Sequence, residues 1–553
     1  MRDLIERLRL IDYKDANAII KDISGIVDFF SSDEDKRDFI SAHEVETAIA
    51  GEDRVSYGDW QTPQQLAEKV CERHIRKYGY PDIVIEPTCG LGSFVMSALD
   101  KFPDLTEIHA VEINSRYVSE LKFNLLRNAL LSPRQNYPDI YIHNADFFRF
   151  DFSPIIRKAR SNNWDLAIIG NPPWVTNSSQ GRNNSLNLPL KQNSFGLKGI
   201  EAITGKSNFD ISEYITLQLL RMSQQNKGGI SFLLKNSVIR NILNKQKNAP
   251  LNIGDITQES IDASAEFNVS VDASCFCARF DSGPAMVCQI TDFYSGRYIR
   301  KYGWVADSFV ADVDIYQRFA PYDSTSTYEW RSGIKHDCAS VLELTLDDGV
   351  FHNGYGERVD IEDDLIFPLL KSSDIKRHHD SQCRKYIIVT QRRVGEDTSA
   401  LKYTHPRAYA YLTYHIDDFV RRKSSIYKGK DVFSIFGIGA YSFKPFKIVV
   451  SALYKDIDFR LVAQYEGKPV MVDDTCYQLD FDDIGEANAV YAAVQSEEIQ
   501  SLLGSLVFKD AKRVITKGIL ARLNLEGVCR DKGISLKSRL HNSGKIMPPS
   551  LFG

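Results

Sequence analysis

The chain has 553 residues, of which 43% are hydrophobic and 25% charged, the balance of a folded protein with two or three domains. No apolar run reaches the ~20 residues that a membrane-spanning helix needs, and the first residues lack the apolar core of a secretory signal, so we expect a cytoplasmic protein without a membrane partner. The net charge of −5 gives no general attraction to nucleic acid, and the nine cysteines are scattered without a CxxC pair, which predicts reduced thiols and no metal site.

Periodicity divides the chain into three parts. Residues 1–50 carry apolar residues at helical spacing, such as Leu4 and Leu8, which predicts a helical N-terminal extension. Residues 51–290 alternate short β-rich runs with helical segments, the pattern of an α/β domain with a largely parallel sheet. Residues 291–553 hold further β runs among polar segments, which predicts a mixed α+β domain.

Polar groups follow three successive β-rich runs of the α/β part. The first run ends in Glu86 and breaks into a turn containing Gly90, where the backbone can approach a ligand closely. The second ends in Glu112, which is placed to accept ribose hydroxyls, and the third ends in Asp146 and Phe147, which suit an amino group and a ring face. Because the carboxyl ends of parallel strands share one edge of a sheet, these groups are predicted to form one site.

A fourth β-rich run ends in the sequence Asn171-Pro172-Pro173-Trp174. The side chain of Asn171 offers a carbonyl acceptor, and the prolines restrict the backbone so that the neighbouring carbonyls are aimed. Trp174 offers a flat face on which a base could stack. Two acceptors that converge on an exocyclic NH2 group would direct its nitrogen lone pair at an electrophile. The alternative is a proline-stiffened turn with a surface tryptophan.

In their order and spacing these motifs resemble the S-adenosylmethionine-dependent N6-adenine DNA methyltransferases of restriction–modification systems, in the gamma-class arrangement. The likeness spans roughly residues 55–285. It implies a Rossmann-like class I methyltransferase sheet, S-adenosyl-L-methionine as cofactor, and methylation of adenine N6 in a specific double-stranded DNA sequence through base flipping. Residues 291–553 would then be the DNA target-recognition domain, and a separate cognate restriction endonuclease is a further candidate partner.

The resemblance also implies roles for single residues. Asn171, Pro172, Pro173 and Trp174 would form the catalytic motif, with Phe267 as a second aromatic stacking on the flipped base; for Phe267 a core or hairpin position is an equal alternative. The implied cofactor-binding residues are Thr62, Pro63, Glu86, Pro87, Cys89, Gly90, Gly92, Phe94, Glu112, Asp146, Phe147, Asn171 and Asp210. For a single acidic residue, a helix cap or turn is the usual alternative, but the ordered set favours a binding site.

The polar stretch from Val175 to Ser207 follows the catalytic motif directly. In the enzymes that the chain resembles, a mobile loop at this place closes over DNA. An insertion without function is an equal alternative.

Basic clusters in the C-terminal part are predicted to contact DNA, because lysine and arginine neutralise phosphates. Solvated surface charge is the ordinary alternative for any one cluster. The candidate DNA-binding residues from these clusters are Arg392, Arg393, Arg421, Arg422 and Lys423. The segments Trp330–Cys338 and Phe436–Pro445 resemble recognition-domain segments of the larger adenine methyltransferases, which implies Lys335, His336, Tyr441 and Lys444 as further candidates.

Other functions stay open at this point. The Asn-Pro-Pro-aromatic motif also serves enzymes that methylate a glutamine amide in protein or guanine N2 in RNA, but those enzymes are compact, and the long C-terminal part here favours DNA. A catalytically inactive DNA-binding subunit is a further alternative. A fused nuclease could be sought at Asp458, Glu466 and Lys468, although Glu466-Gly-Lys-Pro is more simply a hairpin turn.

Overall fold

The computed structural model describes residues 2–42, 61–175, 210–376, 383–510 and 513–536. The chain divides into two compact units, Met1–Phe309 and Val310–Gly553. Within the described ranges, no helix combines the length and the apolar character that crossing a membrane requires. All nine cysteines are free thiols.

The first unit is built on one large sheet flanked by helices. Its helices are α1 (Arg2–Arg9), α2 (Tyr13–Ser24), α3 (Asp33–Ala42), α4 (Gln64–Tyr78), α5 (Ser93–Lys101), α6 (Ser115–Leu131), α7 (Ser153–Ser161), α8 (Ile211–Ser223), α9 (Asn236–Lys245) and α10 (Ala263–Phe267). Its strands are β1 (Ile26–Val27), β2 (Ile83–Glu86), β3 (Glu107–Glu112), β4 (Asp139–Asn144), β5 (Asp165–Gly170), β6 (Lys227–Lys235), β7 (Ile253–Ile261), β8 (Ala273–Phe280), β9 (Val287–Asp292), β10 (Tyr298–Val305) and β11 (Ser308–Val310).

The strand order β1-β4-β3-β2-β5-β6-β8-β7-β9-β10-β11 contains a Rossmann-like sheet. From β4 to β6 the neighbouring strands are parallel, and β8 inserts antiparallel between β6 and β7. Strands β2 and β3 are buried along their whole length, which explains why they read as continuous apolar runs rather than as alternating patterns. The α/β fold class expected from the sequence is confirmed.

The N-terminal residues are part of the first unit and are not purely helical. Strand β1 pairs parallel with β4, with Ile26 opposite Ile140, and so extends the sheet by an edge strand that the helical prediction for residues 1–50 missed. Ile26 and the following Phe29 and Phe30 are buried in the core of this unit. The β-branched pair Ile26-Val27 follows Gly25, which ends α2 in a left-handed conformation (φ 77°), and such a residue commonly ends a helix.

The first unit extends further than the sequence pattern indicated. The sequence analysis placed a boundary near residue 290, whereas β9 and β10 continue the sheet of the first unit up to Phe309. Strand β9 pairs parallel with β7 and antiparallel with β10. Its hydrogen bonds therefore join it to the sheet of the first unit.

The second unit is mixed α+β. Its strands are β12 (Arg331–Ser332), β13 (Glu343–Asp347), β14 (Val350–His352), β15 (Arg358–Val359), β16 (Ile366–Leu370), β17 (Lys385–Ile388), β18 (Phe446–Ser451), β19 (Phe459–Val462), β20 (Met471–Val472) and β21 (Cys476–Phe481). They form a four-stranded sheet, β12-β21-β18-β19, and a six-stranded sheet, β15-β14-β13-β17-β16-β20. Its helices are α11 (Val313–Phe319), α12 (Ala339–Leu342), α13 (Ser372–Lys376), α14 (Leu401–Thr404), α15 (Pro406–Tyr414), α16 (Ile416–Val420), α17 (Ile484–Val494), α18 (Glu497–Leu506), α19 (Lys517–Leu520) and α20 (Leu525–Asp531).

We predict that Gly92→Ala destabilises the protein. Gly92 has a left-handed conformation (φ 84°) at the start of α5, and a Cβ there would overlap Leu121 Cδ1 of α6. We expect the free energy of unfolding to fall by about 2–4 kcal/mol, the sum of backbone strain and overpacking, as measured by urea denaturation. Gly296→Ala is the matched control, since Gly296 also has a positive φ (70°) but faces open space; equal losses for both variants would contradict the packing argument.

Candidate active site

A cavity opens at the carboxyl edge of the parallel strands in the first unit. Its empty space, including the mouth open to solvent, is about 1070 Å³. Its walls are formed by Gln61, Thr62, Glu86, Pro87, Thr88, Cys89, Gly90, Ser93, Phe94, Val111, Glu112, Ile113, Asn114, Tyr117, Ala145, Asp146, Phe147, Phe148, Asn171, Pro172, Pro173, Trp174, Ile211 and Ile215. The ends of β2, β3, β4 and β5 therefore contribute to one site, as the sequence predicted.

Glu112 at the end of β3 is fixed by backbone amides. The N–H of Gly90 donates to Oε2 (2.8 Å) and the N–H of Asn114 donates to Oε1 (2.7 Å). Each carboxylate oxygen has more than one lone pair, so Glu112 can hold the glycine turn and still accept hydroxyl hydrogens from a ligand.

Asp146 at the end of β4 is held in a similar way. Its Oδ1 accepts the N–H of Phe148 at 2.9 Å, and the guanidinium of Arg149, which is almost fully exposed, lies 3.9 Å from Oδ2. Phe147 and Phe148 line the cavity beside this carboxylate. The arrangement pairs an acceptor with apolar ring surfaces, which suits a heteroaromatic base bearing an amino group.

Glu86 is an unusual buried carboxyl. It is 2% exposed, and its Oε2 has no hydrogen-bond partner among the described residues. Burial raises the pKa of Glu86 well above its usual value, against the opposing effect of a hydrogen bond from the Val95 amide, and the nearby Glu112 raises it further. A buried polar atom without a partner is costly, so Glu86 fits a ligand that brings hydrogen-bond donors or positive charge.

The Asn-Pro-Pro-Trp motif forms the wall that follows β5. The side-chain amide of Asn171 donates from Nδ2 to Thr62 Oγ1 at 3.2 Å. The indole N–H of Trp174 donates to the carbonyl of Leu233 on β6 at 3.2 Å, which fixes the ring. Asn171, both prolines and Trp174 line the same cavity as Glu112 and Asp146.

Two implied ligand-contacting residues lie outside the cavity wall. Phe267 is 7% exposed in the core of the first unit and contacts Trp174 edge to face, with ring centroids 5.3 Å apart. It packs behind the tryptophan, and its stacking on a flipped base stays a prediction. Asp210 instead caps α8 by accepting the N–H of Ser212 at 3.0 Å and forms an ion pair with Lys235. The cavity wall there consists of Ile211 and Ile215.

Gly92 and Pro63, also implied as cofactor-binding, do not line the cavity either. Gly92 packs against Leu121 of α6, and Pro63 is the N-cap residue of α4. Their sequence neighbours Gly90 and Thr62 are the residues that reach the cavity. The sequence motif found the correct turn and segment but could not show which backbone atoms face inward.

Sequence reasoning missed several lining residues that adjoin the motif residues. Ile113 directly follows Glu112 and is 43% exposed, and Tyr117 lies in the first turn of α6. The remaining ones are Gln61, Thr88, Ser93, Val111, Asn114, Ala145, Phe148, Ile211 and Ile215. Ile113 could have been predicted as a lining residue, because it is an apolar residue directly after the site carboxylate Glu112. Tyr117 could not, because the packing of α6 decides which way its side chain points.

The predicted loop from Val175 to Ser207 lies outside the described residues apart from Val175. The described residues on either side of the gap meet, since the N–H of Ile211 donates to the carbonyl of Val175 at 3.0 Å. Lys235 contacts both sides of the gap, because its Nζ donates to the carbonyl of Trp174 at 3.4 Å and pairs with Asp210.

The candidate DNA-binding residues of the second unit differ in availability. Arg392, Arg393, Arg421 and Lys423 are exposed. The other candidates interact with residues of the second unit. Lys335 pairs with Asp337 at 2.7 Å, Lys444 pairs with Asp482, and Tyr441 is half-buried beneath the guanidinium of Arg331.

Arg422 is a structural arginine. Its guanidinium donates to four backbone carbonyls, those of His336, Phe419, Val432 and Ser434. It also lies 3.7 Å from the centroid of the Tyr427 ring. The expectation of a phosphate contact is therefore wrong for this residue, because its donors are used within the fold.

His336 is also internal, which contradicts its predicted DNA contact. It is 6% exposed, with Nε2 3.4 Å from Glu343 Oε1. With Asp473 these residues form a cluster of metal-ligand types, but the ammonium of Lys371 lies 2.6 Å from Glu343 and 3.9 Å from Asp473. Although burial opposes its ionisation, hydrogen bonds from His336 and Lys371 lower the pKa of Glu343 to about 2. We interpret the cluster as a buried ion-pair network.

The nuclease candidate is a turn. Glu466 and Gly467 have positive φ, and the backbones of Tyr465 and Lys468 exchange two hydrogen bonds of 3.0 Å. Lys468 donates to Asp363 at 2.6 Å, and Asp458 pairs with Arg460 at 2.8 Å. The hairpin alternative accounts for this segment.

Comparison with known proteins identifies the family. No family model matches the chain. Over 475 residues it is 41% identical to the type II methyltransferase M.NspV of Nostoc sp., a match that covers 86% of this chain and 97% of that protein. The chain belongs to the type II methyltransferases of restriction–modification systems. Its cofactor is accordingly S-adenosylmethionine.

Two solved restriction enzymes are among the structures that align with the chain. The type IIL restriction–modification enzyme MmeI, solved in complex with DNA, aligns with 85% of this chain at 12% identity and a TM-score of 0.49. The type IIG restriction endonuclease BpuSI aligns with 88% at 13% identity and a TM-score of 0.34. The methyltransferase chain spans 64% and 60% of these two proteins, less than two thirds of either.

We predict that Glu86→Gln stabilises the cofactor-free enzyme increasingly as the pH rises. The folded-state pKa of Glu86 is raised, so its contribution to stability is present below the unfolded pKa and is lost as the pH rises through the folded pKa. Glutamine cannot ionise and avoids this loss. The melting temperatures of both proteins, measured between pH 5 and pH 8, check this prediction. A difference in melting temperature that stays the same over the whole pH range would contradict the assignment.

Proposed function

We propose that the enzyme methylates the N6 amino group of adenine within a specific double-stranded DNA sequence, as the modification enzyme of a restriction–modification system. One observation carries the proposal: the acceptor motif Asn171–Trp174 and the carboxylates Glu112 and Asp146 line the same cavity. Such a role implies a separate endonuclease that cuts the unmodified sequence, and action in the cytoplasm, where both would meet DNA.

The cavity offers hydrogen-bond acceptors and a ring face that suit the cofactor. Glu112 offers acceptors for ribose hydroxyls, and Asp146 with Phe147 offers an acceptor and a ring face for adenine. Glu86, with a buried oxygen that lacks a partner among the described residues, suits the positively charged methionine end. Gly90 has a positive φ of 53°, and a Cβ there would approach the side-chain amide of Gln61 to 2.8 Å, so the turn beside this end requires glycine. Bound S-adenosylmethionine supplies an electrophilic methyl group.

Asn171 and Pro172 would activate the acceptor. The Oδ1 atom of Asn171 and the main-chain carbonyl of Pro172 would each accept a hydrogen bond from one N–H of the adenine amino group. With both N–H bonds engaged, the nitrogen lone pair is withdrawn from the ring and localised on N6, where it can act as a nucleophile. Because these dipoles are fixed before the substrate arrives, little reorganisation is needed at the moment of reaction.

Trp174 would receive the flipped base. Taking an adenine out of a duplex costs a few kcal/mol, and stacking on an aromatic ring returns roughly 1–3 kcal/mol per base. The ring of Trp174 is fixed by its hydrogen bond to Leu233 and backed by Phe267. A ring held in advance loses little entropy when the base stacks on it.

The second unit would supply recognition. Its exposed cations Arg392, Arg393, Arg421 and Lys423 could follow phosphates, which fix register without reading the sequence. Lys335, Tyr441 and Lys444 are engaged within the fold and are weaker candidates for that role.

The direct test offers labelled cofactor to duplex DNA, RNA and protein side by side. We expect label in duplex DNA, and nucleoside analysis should identify N6-methyladenine. Label in RNA or in a glutamine amide would replace the proposal by one of the alternative acceptors. No transfer to any of them would favour an inactive DNA-binding subunit.

We predict that Asn171→Ala lowers turnover by roughly a hundredfold to a thousandfold, the usual effect of removing one preorganised group at a reacting atom. Cofactor binding, measured by calorimetry, should stay nearly unchanged because Asn171 serves the acceptor. Wild-type turnover in this variant would exclude the proposed role of the motif.

We predict that replacing both Arg392 and Arg393 by Ala weakens DNA binding on all sequences alike. The slope of log affinity against log salt should fall by about 2, close to one unit for each lost phosphate contact, as measured by fluorescence anisotropy. Arg407→Ala is the control, because Arg407 is exposed but already pairs with Asp360 and Glu362. A loss confined to the cognate sequence would instead indicate base contact.

A further inference from the structure

Trp174, the last residue of the acceptor motif, is held at two points by the end of β6. Its indole N–H donates to the carbonyl of Leu233 at 3.2 Å, and its own carbonyl accepts a hydrogen bond from the ammonium of Lys235 at 3.4 Å. An ammonium can only donate and a main-chain carbonyl can only accept, so the direction of the second bond is unambiguous. The first bond fixes the ring, and the second fixes the main chain.

The same ammonium reaches the start of α8. It forms an ion pair with Asp210, whose Oδ1 accepts the N–H of Ser212 at 3.0 Å and the hydroxyl of the same residue at 2.5 Å. Ile211 and Ile215 of this helix line the cavity. Lys235 therefore connects the main chain of the acceptor motif to the helix that forms another wall of the same cavity.

This connection is shielded from water and anchored in the sheet. The side chains of Lys235 and Asp210 are only 16% and 10% exposed. Separating such a pair would leave a largely buried charge without its partner, which is strongly unfavourable. The main chain of Lys235 is the last part of β6 and pairs with Ala273 of β8. The ammonium is therefore a firm point of attachment for both partners.

The place of the acceptor motif in the cavity bears directly on the rate of transfer. Asn171 and Pro172, the two residues that would engage the adenine amino group, lie just before Trp174 in the chain. A displacement of the Trp174 main chain would therefore move them as well. A misplacement of about 1 Å at a reacting group can cost roughly a hundredfold in rate.

We propose that Lys235 is a positioning residue that holds the acceptor motif in place relative to α8. The inference rests on the proposed function, since it concerns the same motif. It goes further by assigning a role in the chemical step to the end of β6, where the sequence indicated no site residue.

The test compares two double variants that each remove one ion pair of α8 without leaving a buried charge unpaired. Lys235→Met with Asp210→Asn removes the pair that contacts Trp174, and asparagine can still cap the helix. Lys245→Met with Glu213→Gln is the matched control, because Lys245 of α9 pairs with Glu213 of α8 at 2.5 Å. Single-turnover methyl transfer to duplex DNA is measured at saturating labelled cofactor and DNA, together with the melting temperature of each variant.

We expect the first double variant to lower the single-turnover rate by about tenfold or more. The cofactor dissociation constant, measured by calorimetry, should change by less than about threefold, because the affected contact serves the acceptor. The control should keep a rate close to wild type at a similar melting temperature. Lys235→Arg, which retains donors for both partners, should keep a higher rate than the first double variant.

Three results would overturn the positioning role of Lys235. They are an unchanged rate in the first double variant, an equal loss of rate in the control or in Lys235→Arg, and a loss confined to cofactor affinity. Wild-type turnover in Asn171→Ala, or label in RNA or protein instead of DNA, would remove the proposed function itself, so the two failures are distinguishable.

Discussion

The site depends on the parallel alignment of β2, β3, β4 and β5. Parallel strands bring their carboxyl ends to one edge of the sheet, so residues far apart in sequence meet without long loops. Glu112 then links two of these ends, because its carboxylate accepts the amide of Gly90 after β2 and the amide of Asn114 after β3. The same carboxylate holds the turn in shape and lines the cavity.

Much of this arrangement was predictable from the sequence, because it depends on short local patterns and on the order of the parallel strands. The α/β class follows from the apolar runs of β2, β3 and β5, and the site follows from the polar residue at the end of each strand. The edge strand β1 was not predictable, since two residues are too short for a periodic signal. The continuation of the sheet through β9 and β10 was missed because pairing with β7 is a long-range contact.

The errors at single residues share one physical origin. The sequence shows which donors and acceptors a side chain carries, but it does not show which of them form hydrogen bonds or ion pairs within the fold. Arg422 and His336 read as basic groups for DNA, yet their hydrogen bonds are used inside the second unit. Asp210 has the residue type of a ligand contact, but its carboxylate caps α8 and pairs with Lys235. Exposure separates Arg392 and Arg393 from these cases, and only tertiary structure reveals it.

The meeting of Val175 and Ile211 has a consequence for how this enzyme could diversify. Because the residues on either side of the gap are joined to each other and to Lys235, we expect insertions or deletions between them to leave the catalytic motif in place. The entropic cost of closing a loop between two joined ends grows only with the logarithm of the loop length, about 0.6 kcal/mol per doubling. Relatives could therefore differ widely in this segment while keeping identical chemistry, which makes it a place where new behaviour can evolve at little risk to the reaction.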